Sequence, residues 1–280
     1  LITPMTSSGV DYENFRKLIN WQIEEGIDAL VIAGTSGEAS TLTDEEHREV
    51  LKFAVEVVDG RVPVIAGTGS NDTDYAIDLT KYACEIGCDA MLVVTPYYNK
   101  ATQKGLIKMF TAIADASTKP CILYNVPGRT GVNILPSTVV RLAKECPNIV
   151  GFKAASGNLA QIKELIDMAP AGFDVFSGDD SLTVDIMEAG GVGVISVFGN
   201  AYPQEMTALV RAMQEGRVGD ARNQHDRLNE LFQLIFVDGN PSGIKALLNI
   251  HGKVDNVLRL PLVPACDDTY SDLQQAITML

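Results

Sequence analysis

The sequence predicts an α/β chain, a (β/α)8 barrel over residues 1–217 followed by a helical extension over residues 218–280. Three observations predict it. Short apolar runs rich in β-branched residues recur roughly every 20 to 35 residues, the pattern of parallel strands buried on both faces. Each is followed by a polar or glycine-containing loop and then an amphipathic helix, and eight such units are the count of a barrel. Past residue 217 the apolar runs stop and only helical periodicity remains.

The chain opens on Leu1-Ile-Thr-Pro4, which reads as the stub of a first strand whose start is left off. Asp11 is placed to cap a helix that turns Phe15, Leu18, Ile19 and Ile23 inward and ends at Gly26. Residues 29–33 form the second strand, with the loop Gly34-Thr-Ser-Gly-Glu38 behind it. Thr43-Asp-Glu-Glu46 is a capping box that opens the next helix. Residues 62–66 and 90–94 are the third and fourth strands, with helices over about 73–87 and 104–117. The fifth strand, 121–124, leads into Asn125-Val-Pro-Gly-Arg-Thr-Gly131, which reads as a loop, with a helix starting after Pro136. Residues 149–153, 174–177 and 192–196 complete the set, and the eighth helix ends near Gly216. Amphipathic stretches over 219–236, 241–250 and 267–279 make up the extension. A doubly wound open sheet is the competing parallel fold. Against it, Gly67-Thr-Gly-Ser-Asn-Asp72 lacks the third glycine of a dinucleotide fingerprint, and no Walker motif occurs.

The chain has 280 residues and a formal charge of −14, with 46% hydrophobic and 21% charged residues, so it is an ordinary globular composition with a strongly acidic balance. Such a charge repels nucleic acid and anionic membrane surfaces, and no apolar run is long enough to span a bilayer. Neither partner is expected. The five cysteines are an odd count without a metal-type pair, and they read as reduced, mostly buried thiols of a cytoplasmic protein. His47, His225 and His251 follow no metal spacing, so no bound metal is expected.

In a barrel the chemistry sits on the loops that follow the C-terminal ends of the strands, which narrows the search to those positions. The run Ile149-Val-Gly-Phe-Lys153 ends on a lysine and then breaks into Ala-Ala-Ser-Gly157. An amine near the buried end of a strand loses water around its charged form, which frees it to act as a nucleophile, so Lys153 is the candidate Schiff-base lysine. A strand-end lysine that reaches to solvent is the plainer reading of that stretch alone. Tyr124 ends the neighbouring strand, where a phenol can relay protons to the lysine nitrogen. Thr35 and Ser36 stand in a turn whose backbone N–H groups can hold a carboxylate, and Arg129 is a guanidinium suited to clamping one. Taken singly, these are a core aromatic, a pair of turn hydroxyls and a surface charge. Their joint fall on strand-end loops favours a site.

Gly34-Thr-Ser-Gly-Glu38, Thr95-Pro-Tyr-Tyr98, Tyr124-Asn-Val-Pro-Gly-Arg-Thr-Gly131, Gly151-Phe-Lys153 and Ser177-Gly-Asp-Asp180 occur in this order at barrel-like spacing. Together they resemble the dihydrodipicolinate synthase family, within the pyruvate-dependent class I aldolase superfamily that includes N-acetylneuraminate lyase. The resemblance runs from Ile2 to about Pro264. It implies a lyase that condenses pyruvate with L-aspartate 4-semialdehyde through a lysine Schiff base, giving 4-hydroxy-tetrahydrodipicolinate, the first committed product toward diaminopimelate and lysine. It further implies Lys153 as the imine-forming residue, with Tyr124, Thr35 and Tyr98 as the proton relay. Ser36, Arg129, Ile195 and Gly178 would bind substrate, Ile195 through its backbone and Arg129 at the mouth.

No cofactor is implied beyond the covalent imine. A homo-oligomer is, built as a dimer of dimers, in which Tyr98 comes from the neighbouring subunit; the Tyr97-Tyr98 pair at a loop tip is the amphipathic surface that interfaces use. Ala154, Gly128 and Ser36 depart from the commonest pattern, which has a glutamate, a serine and a second threonine there, and none of the three removes a catalytic group. A sialate or other 2-keto-sugar-acid aldolase is the alternative on the same scaffold, and Arg129 speaks against it. A silent barrel that only binds or regulates is the other, and it conflicts with Lys153, Tyr124 and Thr35 being present together.

Overall fold

The computed structural model describes residues 1–279, folded as two compact units, residues 63–195 and residues 1–62 with the described residues from 196 onward. The discontinuous unit begins with a hairpin of β1 (Met5–Thr6) and β2 (Gly9–Val10), antiparallel, with Met5 opposite Val10. Asp11 then caps α1 (Tyr12–Glu24) by accepting a hydrogen bond from the Asn14 N–H at 3.0 Å, and Phe15, Leu18 and Ile19 are buried as their spacing predicts. Burying side chains of this size contributes about 1.5–3 kcal/mol each. β3 (Leu30–Ile32) and α2 (Asp44–Val58) follow.

The expected first strand, residues 1–3, is not a ladder strand. The Leu1 terminal amine donates to Val31 O at 2.6 Å and the Ile2 N–H to the side-chain carbonyl of Asn200 at 2.7 Å, one side-chain partner standing where a second strand's carbonyl would complete a ladder. The first strand pairing of the chain is the β1–β2 hairpin.

The continuous unit alternates strand and helix. Its elements are β4 (Val64–Gly67), α3 (Thr73–Glu85), β5 (Ala90–Val94), α4 (Gln103–Ala116), β6 (Cys121–Asn125), α5 (Pro127–Thr130), α6 (Pro136–Glu145), β7 (Ile149–Ala154), α7 (Leu159–Met168), β8 (Asp174–Ser177), α8 (Thr183–Glu188) and β9 (Gly193–Val194). The six strands pair in parallel in sequence order, each with the next. Helix starts are set by side chains that take up orphan N–H groups: Asp72 for α3, Thr102 for α4 and Asn158 for α7. The short α5 lies within the stretch 125–131 that reads as a loop in the sequence. Pro127 supplies a pre-set first-turn φ and Gly131, at φ +72°, ends the helix after four residues. A segment so short carries no apolar periodicity, so the pattern could not reveal it.

The first unit resumes with α9 (Pro203–Gln214), α10 (Val218–Leu234), α11 (Ser242–Ile250) and α12 (Asp267–Ile277), and α10 packs against both α9 and α12. α11 is buried from Ser242 to Leu248. Gly243 is required there, because a Cβ would stand 2.2 Å from Ile235 O. The cysteines are all free thiols; Cys88, Cys121 and Cys146 are buried, and burial pushes Cys88 and Cys121 up to about 12 and about 11.

The capping box forms as predicted: Thr43 Oγ1 accepts from the Glu46 N–H at 3.2 Å, and Glu46 Oε2 accepts from the Thr43 N–H at 2.9 Å. The same carboxylate receives both terminal nitrogens of Arg259, from beyond α11. Hydrogen bonding to Arg259 is the main reason that the Glu46 carboxyl is held down at about 2, from an ordinary 4.5. A carboxyl depressed in the folded state stabilises the fold above its unfolded value and loses that contribution as pH falls toward 2. Solvent reaches this pair, so we expect about 1–2 kcal/mol rather than the full linkage. Urea melts of the protein and of Glu46→Gln should therefore differ by that amount near neutrality and converge between about pH 4 and pH 2; a difference independent of pH would contradict the assignment.

Candidate active site

The parallel register of β6, β7 and β8 brings three side chains abreast: Tyr124 is paired with Lys153, and Lys153 with Phe176. Residues opposite one another in a parallel pair share a face, so Tyr124 and Lys153 emerge on the same side at the same level. Lys153 Nζ lies 4.4 Å from the centroid of the Tyr124 ring. Only 8% of the lysine and 7% of the tyrosine are exposed. The amine thus sits over a π face, which stabilises its charged form by about 0.5–2 kcal/mol, and among the described residues no carboxylate pairs with it. A buried amine with a phenolic side chain beside it is a pairing suited to attack on a carbonyl carbon with proton transfer.

Gly178, which follows β8, makes room for that lysine. Its N–H donates to Ala154 O at 2.7 Å, which holds the turn against the end of β7. A Cβ at residue 178 would meet Lys153 Cε and Cγ at 3.0 Å and Ala155 Cβ at 2.9 Å. Next to it, the Ile195 N–H is taken up by Ser177 O at 2.8 Å, so the backbone of Ile195 can offer a ligand its carbonyl rather than its N–H.

Arg129 is an exposed residue of α5. Tyr98 stands in the loop between β5 and α4 at φ +74°, a left-handed conformation that costs a non-glycine residue about 1–2 kcal/mol. The loop is pinned beneath it: the Tyr98 N–H donates to Thr130 O at 3.3 Å, Asn71 Nδ2 to Tyr97 O at 3.1 Å, and Asn99 Nδ2 to Asn71 O at 2.9 Å. The Tyr98 side chain is 90% exposed, so the phenol is presented outward while the backbone below is fixed.

Thr35 and Ser36 belong to the other unit, in the turn after β3. Ala33 at φ +54° and Glu38 at φ +56° bracket that turn, two non-glycine residues in the left-handed region within six positions. Thr35 O accepts from the Glu38 N–H at 3.1 Å, and Ser36 Oγ donates to Asn240 Oδ1 at 3.0 Å. Glu38 is buried, its Oε1 receiving Lys245 Nζ and its Oε2 the Arg259 N–H at 3.1 Å. Lys245 is wholly buried in α11 and also donates to Val257 O at 2.8 Å. Burial pushes its ammonium below the ordinary lysine value, and Glu38 opposes that shift. Glu38, Asn240 and Lys245 were not singled out by the sequence reading. The available signal was a lysine amid Ile244-Lys-Ala-Leu-Leu248, a polar residue on the apolar face of a helix.

The sequence matches the Dihydrodipicolinate synthetase family across residues 1–280. It is 47% identical over 264 residues to a 4-hydroxy-tetrahydrodipicolinate synthase of Nitratidesulfovibrio vulgaris strain DP4, covering 94% of this chain and 90% of that protein. The structure is similar to that of dihydrodipicolinate synthase from Aquifex aeolicus, with a TM-score of 0.98 and 43% identity, over 99% of this chain and 95% of that one. It is also similar to the chloride-inhibited dihydrodipicolinate synthase of Acinetobacter baumannii complexed with pyruvate, with a TM-score of 0.97 and 43% identity, over 100% and 96% of the two chains. On these likenesses the fold class is the one the repeat of strands and helices predicted, a (β/α)8 barrel with a C-terminal helical extension.

The space that Gly178 leaves gives a direct test of the lysine's placement. Gly178→Ala should move the Lys153 stem aside and lower kcat by about 10²-fold, the scale of a 1 Å misplacement, with a melting temperature within a few degrees of the parent. Steady-state kinetics beside thermal melts would check it; an active, folded variant would show that the lysine tolerates the shift.

Proposed function

The chain belongs to the dihydrodipicolinate synthetase family, and from that membership we propose how its own residues carry out the reaction. The enzyme is a lyase that condenses pyruvate with L-aspartate 4-semialdehyde to give 4-hydroxy-tetrahydrodipicolinate, the entry to diaminopimelate and lysine. The observation that carries the residue assignment is the buried Lys153 amine lying over the Tyr124 ring, with Gly178 leaving room for its stem.

Lys153 attacks the keto carbon of pyruvate, and loss of water gives the imine. Removal of a methyl proton then yields the enamine, whose carbon attacks the aldehyde. The amine of the semialdehyde closes onto the imine carbon and releases Lys153, so the nucleophile is regenerated. Tyr124, Thr35 and Tyr98 pass the protons of these steps, and the buried Tyr124 lies against the nitrogen. The turn of Thr35 and Ser36 receives the pyruvate carboxylate, Ile195 lines the site through its backbone carbonyl, and Arg129 holds the semialdehyde carboxylate. Gly178 contributes space. No cofactor takes part, because the imine itself serves as the electron sink. The net charge of −14 supports a protein that binds neither nucleic acid nor anionic membrane, the free cysteines support a cytoplasmic one, and no helix of the described residues is long and apolar enough to cross a membrane.

Borohydride reduction in the presence of pyruvate should add one reduced pyruvate adduct to Lys153, located by peptide mass analysis. Lys153→Ala should lose the label and at least about 10³-fold in kcat/KM. Labelling elsewhere, or an active Lys153→Ala, would overturn the assignment. Offered pyruvate with either aspartate semialdehyde or N-acetylmannosamine, the enzyme should turn over only the first pair; preference for the sugar would favour a sugar-acid aldolase.

For assembly, we propose a homo-oligomer, a dimer of dimers, in which Tyr98 completes the relay of a neighbouring subunit. The outward Tyr98 on its pinned loop supports this. Tyr98→Phe should lower turnover while leaving Lys153 open to borohydride trapping. A fully active monomer in analytical ultracentrifugation would refute the shared site.

A further inference from the structure

The turn 34–38 binds, on the reading above, in part through backbone N–H groups, which a side-chain rotation cannot re-aim. The Ser36 hydroxyl proton is directed to Asn240 Oδ1, so a carboxylate arriving at the turn meets the Thr35 hydroxyl and backbone N–H groups. The aim of those N–H groups depends on the φ and ψ values of the turn, and the two left-handed residues that bracket it, Ala33 and Glu38, are conformations that persist only where the surroundings over-determine them. The surroundings here are specific. Thr3 Oγ1 donates to Gly37 O at 2.7 Å, and a Cβ at residue 37 would stand 3.2 Å from Leu1 O and 3.1 Å from the backbone of Ala33. Both oxygens of Glu38 are held, one by Lys245 and one by the Arg259 backbone, while Val257 O fixes Lys245 from its far side. Arg259 is itself anchored on Glu46. Lys245 is the second buried lysine described above, but its nitrogen is committed to a carboxylate and a carbonyl, which removes it as a nucleophile.

We infer that Glu38 and Lys245 are positioning residues, a buried ion pair that sets the Thr35–Ser36 turn in the shape that receives the carboxylate of pyruvate. This rests on the function proposed above. Removing the ammonium leaves the Glu38 carboxylate buried without its cation, so the carboxylate must move toward water and carry the end of the turn with it. The consequence falls on pyruvate binding and on the Thr35 step of the relay, while Lys153 and Tyr124 use neither residue.

The test separates the pyruvate subsite from the rest of the site. In Lys245→Met, KM for pyruvate should rise about tenfold or more, and kcat at saturating pyruvate should fall less than in Thr35→Val, because the relay hydroxyl is shifted rather than removed. KM for the semialdehyde should stay within about twofold, because that substrate is assigned to Arg129. Saturating pyruvate with borohydride should still label Lys153 in the variant. The double variant Glu38→Gln with Lys245→Met removes both charges and serves if the single variant does not fold; it too should show the raised pyruvate KM, because an amide and a thioether cannot re-form the ion pair. A pyruvate KM within about twofold of the parent in either folded variant would overturn the inference and leave the pair a contribution to stability alone. Parent protein that is not labelled at Lys153 would instead overturn the function on which the inference stands, and the inference with it.

Discussion

Taking an ammonium out of water costs several kcal/mol after relaxation, and this chain does it twice, with two different solutions. Lys245 is compensated by a full opposite charge and a carbonyl, so its proton and its position are both fixed. Lys153 is compensated only by the face of Tyr124, which favours the cation weakly and holds no proton. The first arrangement makes a structural lysine, and the second suits the reactive role proposed for Lys153. Most of what surrounds each of them follows from that difference: glycine and alanines beside Lys153, where the stem needs room, and a ring of hydrogen bonds around Glu38, where nothing is to move.

The same contrast is visible in the backbone. Around Lys153 the geometry comes from a regular ladder, in which parallel register alone sets Tyr124 level with it. Around Thr35 and Ser36 there is no ladder to set the turn, and its left-handed residues are kept by side chains that come from α11 and from the segment after it. The C-terminal extension is therefore more than a cover for the first unit. It carries Lys245, Asn240 and Arg259 to residues near the start of the chain, across more than two hundred positions of sequence.

The acidic balance of the molecule does not bar a substrate that carries a carboxylate, because the cations that would meet it are local. Screening limits the reach of a surface charge to about 8–10 Å at physiological ionic strength, so a distributed excess of carboxylates does not oppose a single guanidinium or a turn of N–H groups at close range. In the proposed reaction Arg129 on its short helix and the N–H groups after β3 would act at contact distance, where the sign of the whole protein counts for little.

The sequence by itself determined the fold class, the order and approximate limits of most strands and helices, the capping box at Thr43 and the assignment of Lys153 and Tyr124 to strand ends. These are local properties: apolar period, capping chemistry and the rule that loops after parallel strands carry function can all be read within a dozen residues. The residues that the resemblance named were legible for the same reason, since each lies in a short, distinctive stretch. Only the tertiary structure decided that the first strand pairing is a hairpin, that Arg129 rides a four-residue helix and that Gly178 serves by leaving space. It alone also decided that Glu38 belongs with Lys245 and Glu46 with Arg259. A lysine in an apolar helix and a glutamate in a turn have no local sign of one another; their pairing exists because burial leaves each charge no other partner, and burial is a property of the whole packed chain.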